Sequence, residues 1–317
     1  MEVFNLTLNQ MLMMFFLTLA GFFLRKKNII PENSHIIMSR LETYVFLPAL
    51  NLFNMLTMCT VKTFSENSIL ILYGFVLILI AVFGAYLVSK FFSKNDEYQR
   101  NLYKYALTFG NYGFMGNFIV LGIWGNDMLF KYSMFTMFIT LVCNSWGLYV
   151  LIPKEKGDGN IFKDIKKGIF VPPTIALVLG AILGLCNAKA YVPKFFLDTL
   201  SNASSCMGPV AMVLTGVVIG GYEFKSLFTN KKVYIITFLR LILIPAVMVS
   251  ILKLLGVSEE VVLFSLIVFA TPVGLYTVIY PAAYGGDTKT GASMAMISQL
   301  LSVITIPLMY LIFVVIL

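Results

Sequence analysis

Ten stretches of this chain run for roughly twenty residues with almost no charge, the length a helix needs to cross a bilayer. They fall at approximately 6–24, 37–59, 67–89, 103–124, 128–152, 169–187, 197–221, 233–254, 260–283 and 289–315. The second, opening "SRLETYVFLPALNLF", is the least clean. Only 12% of the 317 residues are charged and 59% are hydrophobic, whereas a soluble domain carries about 25% charge. The apolar excess is spread along the whole length. The pattern predicts an all-α polytopic membrane protein with ten transmembrane helices.

The charges that remain lie between these stretches, and their distribution gives an orientation. Alternate loops hold Arg25, Lys26, Lys27 and Arg40, then Lys90, Lys94, Arg100 and Lys104, then Lys154, Lys156, Lys163, Lys166 and Lys167, then Lys225, Lys231 and Lys232, and last Lys289. The other loops hold Lys62, Lys131, Lys189, Lys194 and Lys253, and Arg240 falls inside a span. A split of seventeen against five places the first set in the cytoplasm and both termini outside. The formal charge of +8 is thereby a topology signal, and no nucleic-acid partner is needed to explain it. In "MEVFNLTLNQ" no cation precedes the first apolar run, the wrong order for a cleavable signal peptide. Cys59, Cys143, Cys186 and Cys206 form no CxxC pair and read as small buried apolar residues, with no metal or disulfide framework. His35, near a span boundary, reads as a satisfied surface side chain.

The longest polar connection, "PKEKGDGNIFKDIKKG" at 153–168, divides the chain into halves at 1–152 and 169–317 with a cytoplasmic linker between them. The halves echo each other at a shift of about 160 residues. "NIIP…VFLPAL" returns as "AYVP…MGPVAM", and "GNYGFMGNFIVLGIWGND", ending at Asp127, returns as "ATPVGLYTVIYPAAYGGD", ending at Asp287. Five spans per half is an odd number, so tandem copies insert with opposite topology. Two inverted five-helix repeats are a recurrent transporter architecture, with the binding site where both halves carry an interrupted segment. Spans four and nine are interrupted here, by "NYGFMGN" and "TPVGLY". Pro272 removes a backbone donor, and Gly113, Gly116 and Gly274 permit irregular backbone. Both spans are expected to break and cross at mid-membrane. Asn111, Gly113, Asn117, Pro272, Val273 and Gly274 are the candidate substrate-binding residues, with the asparagines serving freed backbone groups, a ligand, or both. Packing of helices through small residues is the competing reading of the same glycines.

With Gly110, Asn111, Gly113, Phe114 and Gly116 in the order GN-x-GF-x-G, the chain resembles the auxin efflux carrier family, the plant PIN-FORMED proteins and their bacterial relatives. That family's following proline is replaced here by Phe118. "VFLPAL", "LRLILIP" and "GASMAMISQLLSVITIPL" resemble its second, eighth and tenth spans. The resemblance implies a scaffold of spans 1, 2, 6 and 7, a transport unit of spans 3–5 and 8–10, an elevator-type motion and a homodimer. It also implies small organic carboxylate substrates: an auxin-like acid, or dicarboxylates such as malate or malonate. The long cytoplasmic loop of many plant members is absent, which favours a carrier of the bacterial cytoplasmic (plasma) membrane.

Four further residues are candidates for an ion or support site. Arg240, in "FLRLILIP", lies about 10 Å into span eight at 1.5 Å per residue. It either acts on the substrate or transport unit, or snorkels to the cytoplasmic interface. Glu42 is either a proton or cation site, or an interfacial carboxylate beside Arg40. Asn144 and Gln299 either support the broken helices or make ordinary interhelical hydrogen bonds.

No HExxH, GxSxG or nucleotide-binding motif occurs, and no paired intramembrane aspartates. The sequence therefore argues against an enzyme. It favours a secondary carrier of small organic anions without cofactor or metal, in which coupling to H+ or Na+ stays open. A non-transporting receptor or a channel is the alternative. The orientation is testable: Asp158→Cys in the 153–168 connection should resist an impermeant thiol reagent in intact cells, and rapid external labelling would overturn both the topology and the inverted repeat.

Overall fold

In a chain this apolar the backbone has no water to bond to, and helices satisfy it internally. The computed structural model describes residues 2–153 and 170–316 and is helical almost throughout, so most of the 153–168 connection lies outside the described residues. In chain order the helices are α1 (Glu2–Lys26), α2 (Ser34–Leu41), α3 (Leu47–Met58), α4 (Val61–Ser89), α5 (Glu97–Thr108), α6 (Asn117–Val142) and α7 (Leu148–Leu151). After the connection come α8 (Pro172–Leu185), α9 (Lys194–Gly220), α10 (Lys231–Phe238), α11 (Ile244–Leu254), α12 (Glu259–Ala270), α13 (Tyr276–Tyr284) and α14 (Thr288–Tyr310). Wider π-turns join α2 to α3 (Glu42–Phe46), lead into α6 (Tyr112–Gly116), join α6 to α7 (Cys143–Gly147) and α10 to α11 (Leu239–Leu243), and follow α14 (Leu311–Ile316).

Among the described residues seven helices are long and apolar enough to cross a membrane: Phe4–Lys26, Ser34–Met58, Val61–Ser89, Tyr112–Leu151, Lys194–Gly220, Lys231–Leu254 and Thr288–Ile316. The difference from the ten expected stretches has local causes. The stretch at 169–187 forms the shorter α8, which begins on Pro172 and Pro173, residues suited to a first turn. The stretches at 103–124 and 260–283 are each cut in two. The second part of the former runs on through Gly125 into the following stretch, and Gly125 takes a positive φ of 78° at the kink.

Two of the cysteines depart from expectation. Cys59 and Cys143 are buried, but Cys186 and Cys206 are exposed. A thiol is apolar enough to sit on the outside of such a protein, beside the many exposed side chains of its kind, such as Phe16, Phe83, Phe195 and Ile304. A lipid-facing surface has no need to hide them.

Close backbone approach holds the helices together. A Cβ on Gly21 would meet the Val213 carbonyl, and one on Gly216 the Thr18 carbonyl, so α1 and α9 touch along both seams. A Cβ on Gly74 would likewise meet the Phe135 carbonyl between α4 and α6. Small residues admit this contact where lipid supplies no hydrophobic driving force. Side-chain caps close the exposed ends. The Thr60 hydroxyl accepts from the Thr63 N–H, Asp96 from Gln99, and Asp287 from Lys289 and Thr290.

Candidate functional site

The site is built where α5 and α12 stop. Each is a helix of 12 residues, and each ends in extended backbone: Phe109 at φ −114°, ψ 126° and Thr271 at φ −67°, ψ 146°. The two extended stretches lie antiparallel, with a bridge between Gly110 and Val273. The Asn111 N–H donates to the Pro272 carbonyl at 2.7 Å, and the Val273 N–H donates to Ser298 Oγ at 2.9 Å. Pro272 has no N–H to leave unpaired, which suits it to this place.

The glycines serve a different purpose from the one expected. Among the described residues only Gly125, Gly256 and Gly285 have positive φ among glycines, so neither Gly113, Gly116 nor Gly274 is needed for a left-handed turn. Gly274 permits approach: its Cβ would lie 3.2 Å from the Gly110 carbonyl oxygen. A Cβ on Gly116 would strike the Tyr132 hydroxyl, whereas one on Gly113 would meet nothing within 4 Å. Gly113 leaves space open. Gly110, read from the sequence only as part of the motif, is the tightest of these, because a Cβ there would run into the Arg240 guanidinium and lie 2.7 Å from the Thr271 carbonyl oxygen.

Arg240 is completely buried. It does not snorkel, and no carboxylate pairs with it among the described residues. Its Nη1 donates to the carbonyls of Leu107 and Thr108, at 3.3 and 3.2 Å. Its Nη2 donates to Val268 at 2.6 Å and its Nε to Thr271 at 3.2 Å. These are the terminal carbonyls of α5 and α12, which have no helical N–H to accept from. Each helix C-terminus carries about −0.5 of a charge, so two ends facing one guanidinium come close to balancing it.

The chain beyond the breaks restarts as helix, at the π-turn Tyr112–Gly116 and at α13, and these starts line a cavity of about 90 Å³. Of the residues expected at the site, Asn111, Gly113, Asn117 and Gly274 line the cavity, and so does Asn144. Pro272 and Val273 pair behind its wall. Gln299, buried on α14 with its Nε2 unpartnered, and Glu42, on the α2–α3 turn, do not line it. No charged side chain is among the described lining residues.

Sequence reasoning missed most of the wall. Tyr105, Tyr112, Tyr276 and Tyr280 contribute an aromatic side, with Tyr276 and Tyr280 edge-to-face at 4.9 Å. Thr136, Thr140 and Asn51 add polar groups, and the Tyr112 hydroxyl donates to Thr140 Oγ1 at 3.3 Å. The i, i+4 spacing of Tyr276 and Tyr280 directly after "TPVGL" was the available signal. The N–H groups of Tyr112, Gly113 and Phe114 open a helix and lack intrahelical acceptors. Such a start attracts anions without a cationic side chain.

Comparison with known proteins agrees with a membrane transporter. Residues 6–310 match the family model described as "Membrane transport protein". An uncharacterized transporter of Methanocaldococcus jannaschii is 27% identical over 305 residues, covering 94% of this chain and 96% of the relative. The uncharacterized transporter YfdV of Escherichia coli K12 is 24% identical over 207 residues, 62% of each chain. A further uncharacterized transporter, from Methanothermobacter thermautotrophicus, is 23% identical over 198 residues.

The fork of Arg240 makes a specific expectation. Arg240→Ala strands the carbonyls of Leu107, Thr108 and Thr271 and leaves Val268 with the Thr271 hydroxyl alone, at about 1–3 kcal/mol for each that stays unpaired, and should lower the melting temperature in detergent sharply. Arg240→Lys should not rescue it, because one ammonium cannot reach two helix ends as the planar fork does. A lysine variant melting with the parent would show that charge alone suffices. An alanine variant that keeps its stability but loses ligand would put Arg240 on the substrate instead.

Proposed function

The chain belongs to this family of membrane transport proteins, and on that premise we propose that it is a secondary carrier of small organic anions. The observation that carries the reading is the uncharged cavity between two helix starts. An anion enters a site with no lysine, arginine or histidine in its wall, and the free N–H groups of Tyr112, Gly113 and Phe114 and the start of α13 supply the positive potential. Each start contributes about half a charge, which matches one carboxylate group held at a time. The Asn111 and Asn117 amides add donors, and the tyrosines pack the organic body. Mono- and dicarboxylates remain the substrate class.

We read the architecture as two inverted five-helix repeats, 1–152 and 169–317, within ten spans. In support, α5 with its break and α12 with its break are equivalent in length and about 160 positions apart. Each start is also tied to the other half. Gln99 beside the α5 start donates to Asp287, and Glu260 beside the α12 start accepts from Lys131 at 2.7 Å. In this reading spans 1, 2, 6 and 7 form a scaffold that also mediates a homodimer, and spans 3–5 and 8–10 move against it as an elevator. Both polar and apolar contacts cross that boundary. Gln10 Nε2 donates to the Phe118 carbonyl at 3.1 Å, Asn54 Nδ2 to the Asn126 carbonyl at 3.1 Å, and the Phe118 ring fills the space beside Gly208. The protein sits in the cytoplasmic membrane with both termini outside.

Asn111→Ala should weaken binding of a transported carboxylate by about 1–3 kcal/mol, the scale for deleting one partner of a buried hydrogen bond, with a smaller effect for Asn117→Ala. Calorimetry in detergent reads the affinity, a melting curve checks folding, and counterflow in proteoliposomes separates a carrier from a receptor or channel. Full affinity in a folded Asn111→Ala variant would place the site elsewhere.

A further inference from the structure

Glu42 has no role in the site described, yet it is among the most completely buried residues of the protein, and neither carboxylate oxygen has a hydrogen-bond partner. We propose that Glu42 is a proton-binding site: it holds a proton in this conformation and exchanges it with water when the cavity hydrates, which makes the carrier proton-coupled. The proposal rests on the carrier reading above.

An ionised carboxylate without a partner in a dry interior is very costly, and such a group takes up a proton instead. The neighbours offer nothing to hold the charge. The turn itself carries Tyr44, which is exposed, and α2 carries His35 and Arg40. Helix α9, packed against the turn, carries Lys194, Asp198 and Cys206, while α3 and α8 carry no charged residue. None of these bonds to Glu42. Among the described residues no cluster of three or more histidine, cysteine or acidic side chains forms that could hold a metal ion.

Position supplies the link to transport. Glu42 opens the π-turn Glu42–Phe46, and the next residue, Thr43, lines the cavity, as do Leu47 and Asn51 further along. The acid therefore sits one residue behind the cavity wall. The π-turns at Tyr112–Gly116 and Cys143–Gly147 also contribute to that wall, and such turns concentrate at functional sites. In the exchange step the Glu42 O–H bond breaks, the proton passes to water, and the carboxylate left behind needs hydration that the present packing denies it. Proton release is thus tied to the opening of the cavity.

Infrared difference spectroscopy of purified protein, with uptake of malonate or an auxin-like acid into proteoliposomes, tests this. The parent should show the carbonyl stretch of a protonated buried carboxyl at neutral pH, absent from Glu42→Gln and lost at alkaline pH. A pH gradient should drive accumulation in the parent and not in Glu42→Gln, which keeps counterflow. Should Glu42→Gln fail to fold, Glu42→Asp must shift that band. No such band in the parent at neutral pH, or undiminished gradient-driven accumulation by Glu42→Gln, would overturn the proposal. A parent that moves no carboxylate defeats the carrier reading alone, and the infrared titration still decides whether Glu42 binds the proton.

Discussion

One guanidinium holds two broken helices in register. Without Arg240 the carbonyls of Leu107, Thr108, Val268 and Thr271 would face each other across a dry interior, and like-signed helix ends repel. With it, the ends of α5 and α12 share a cation, and the chain beyond each end is free to cross the other through Gly110 and Val273. Gly110 has no side chain because the guanidinium occupies that space. The geometry of the crossing and the identity of these two residues are one constraint.

The opposite face of the crossing follows from this. Helix polarity places terminal carbonyls on the Arg240 side and unbonded N–H groups at the helix starts beyond each break. A cavity bordered by such starts has positive potential without a cationic side chain, so an anion bound there need not break a tight ion pair to leave. In the proposed carrier, that combination of attraction and easy release is what turnover requires.

Much of this was legible in the sequence. Helical class, membrane length and the two interruptions follow from charge-free stretches and from "NYGFMGN" and "TPVGLY". The placement of Asn111, Asn117 and Gly274 at one cavity follows from pairing those interruptions. The role of Arg240 did not, because a lone intramembrane arginine has the same sequence signature whether it caps helices, binds anions or snorkels. The glycines misled in a similar way. Close approach and positive φ both select glycine, and only coordinates show that Gly274 serves the first and that Gly113 leaves a void. The tyrosine wall was hidden because aromatic residues are common along every span, and Glu42 kept two readings because burial at a helix entrance depends on how α9 packs over it.

The most direct test is a structure with a bound carboxylate. The account predicts the carboxylate oxygens within hydrogen-bonding distance of the N–H groups of Tyr112, Gly113 and Phe114, with the Asn111 amide alongside and Arg240 still bonded to its four carbonyls. A carboxylate paired with Arg240, or one bound outside this cavity, would contradict it.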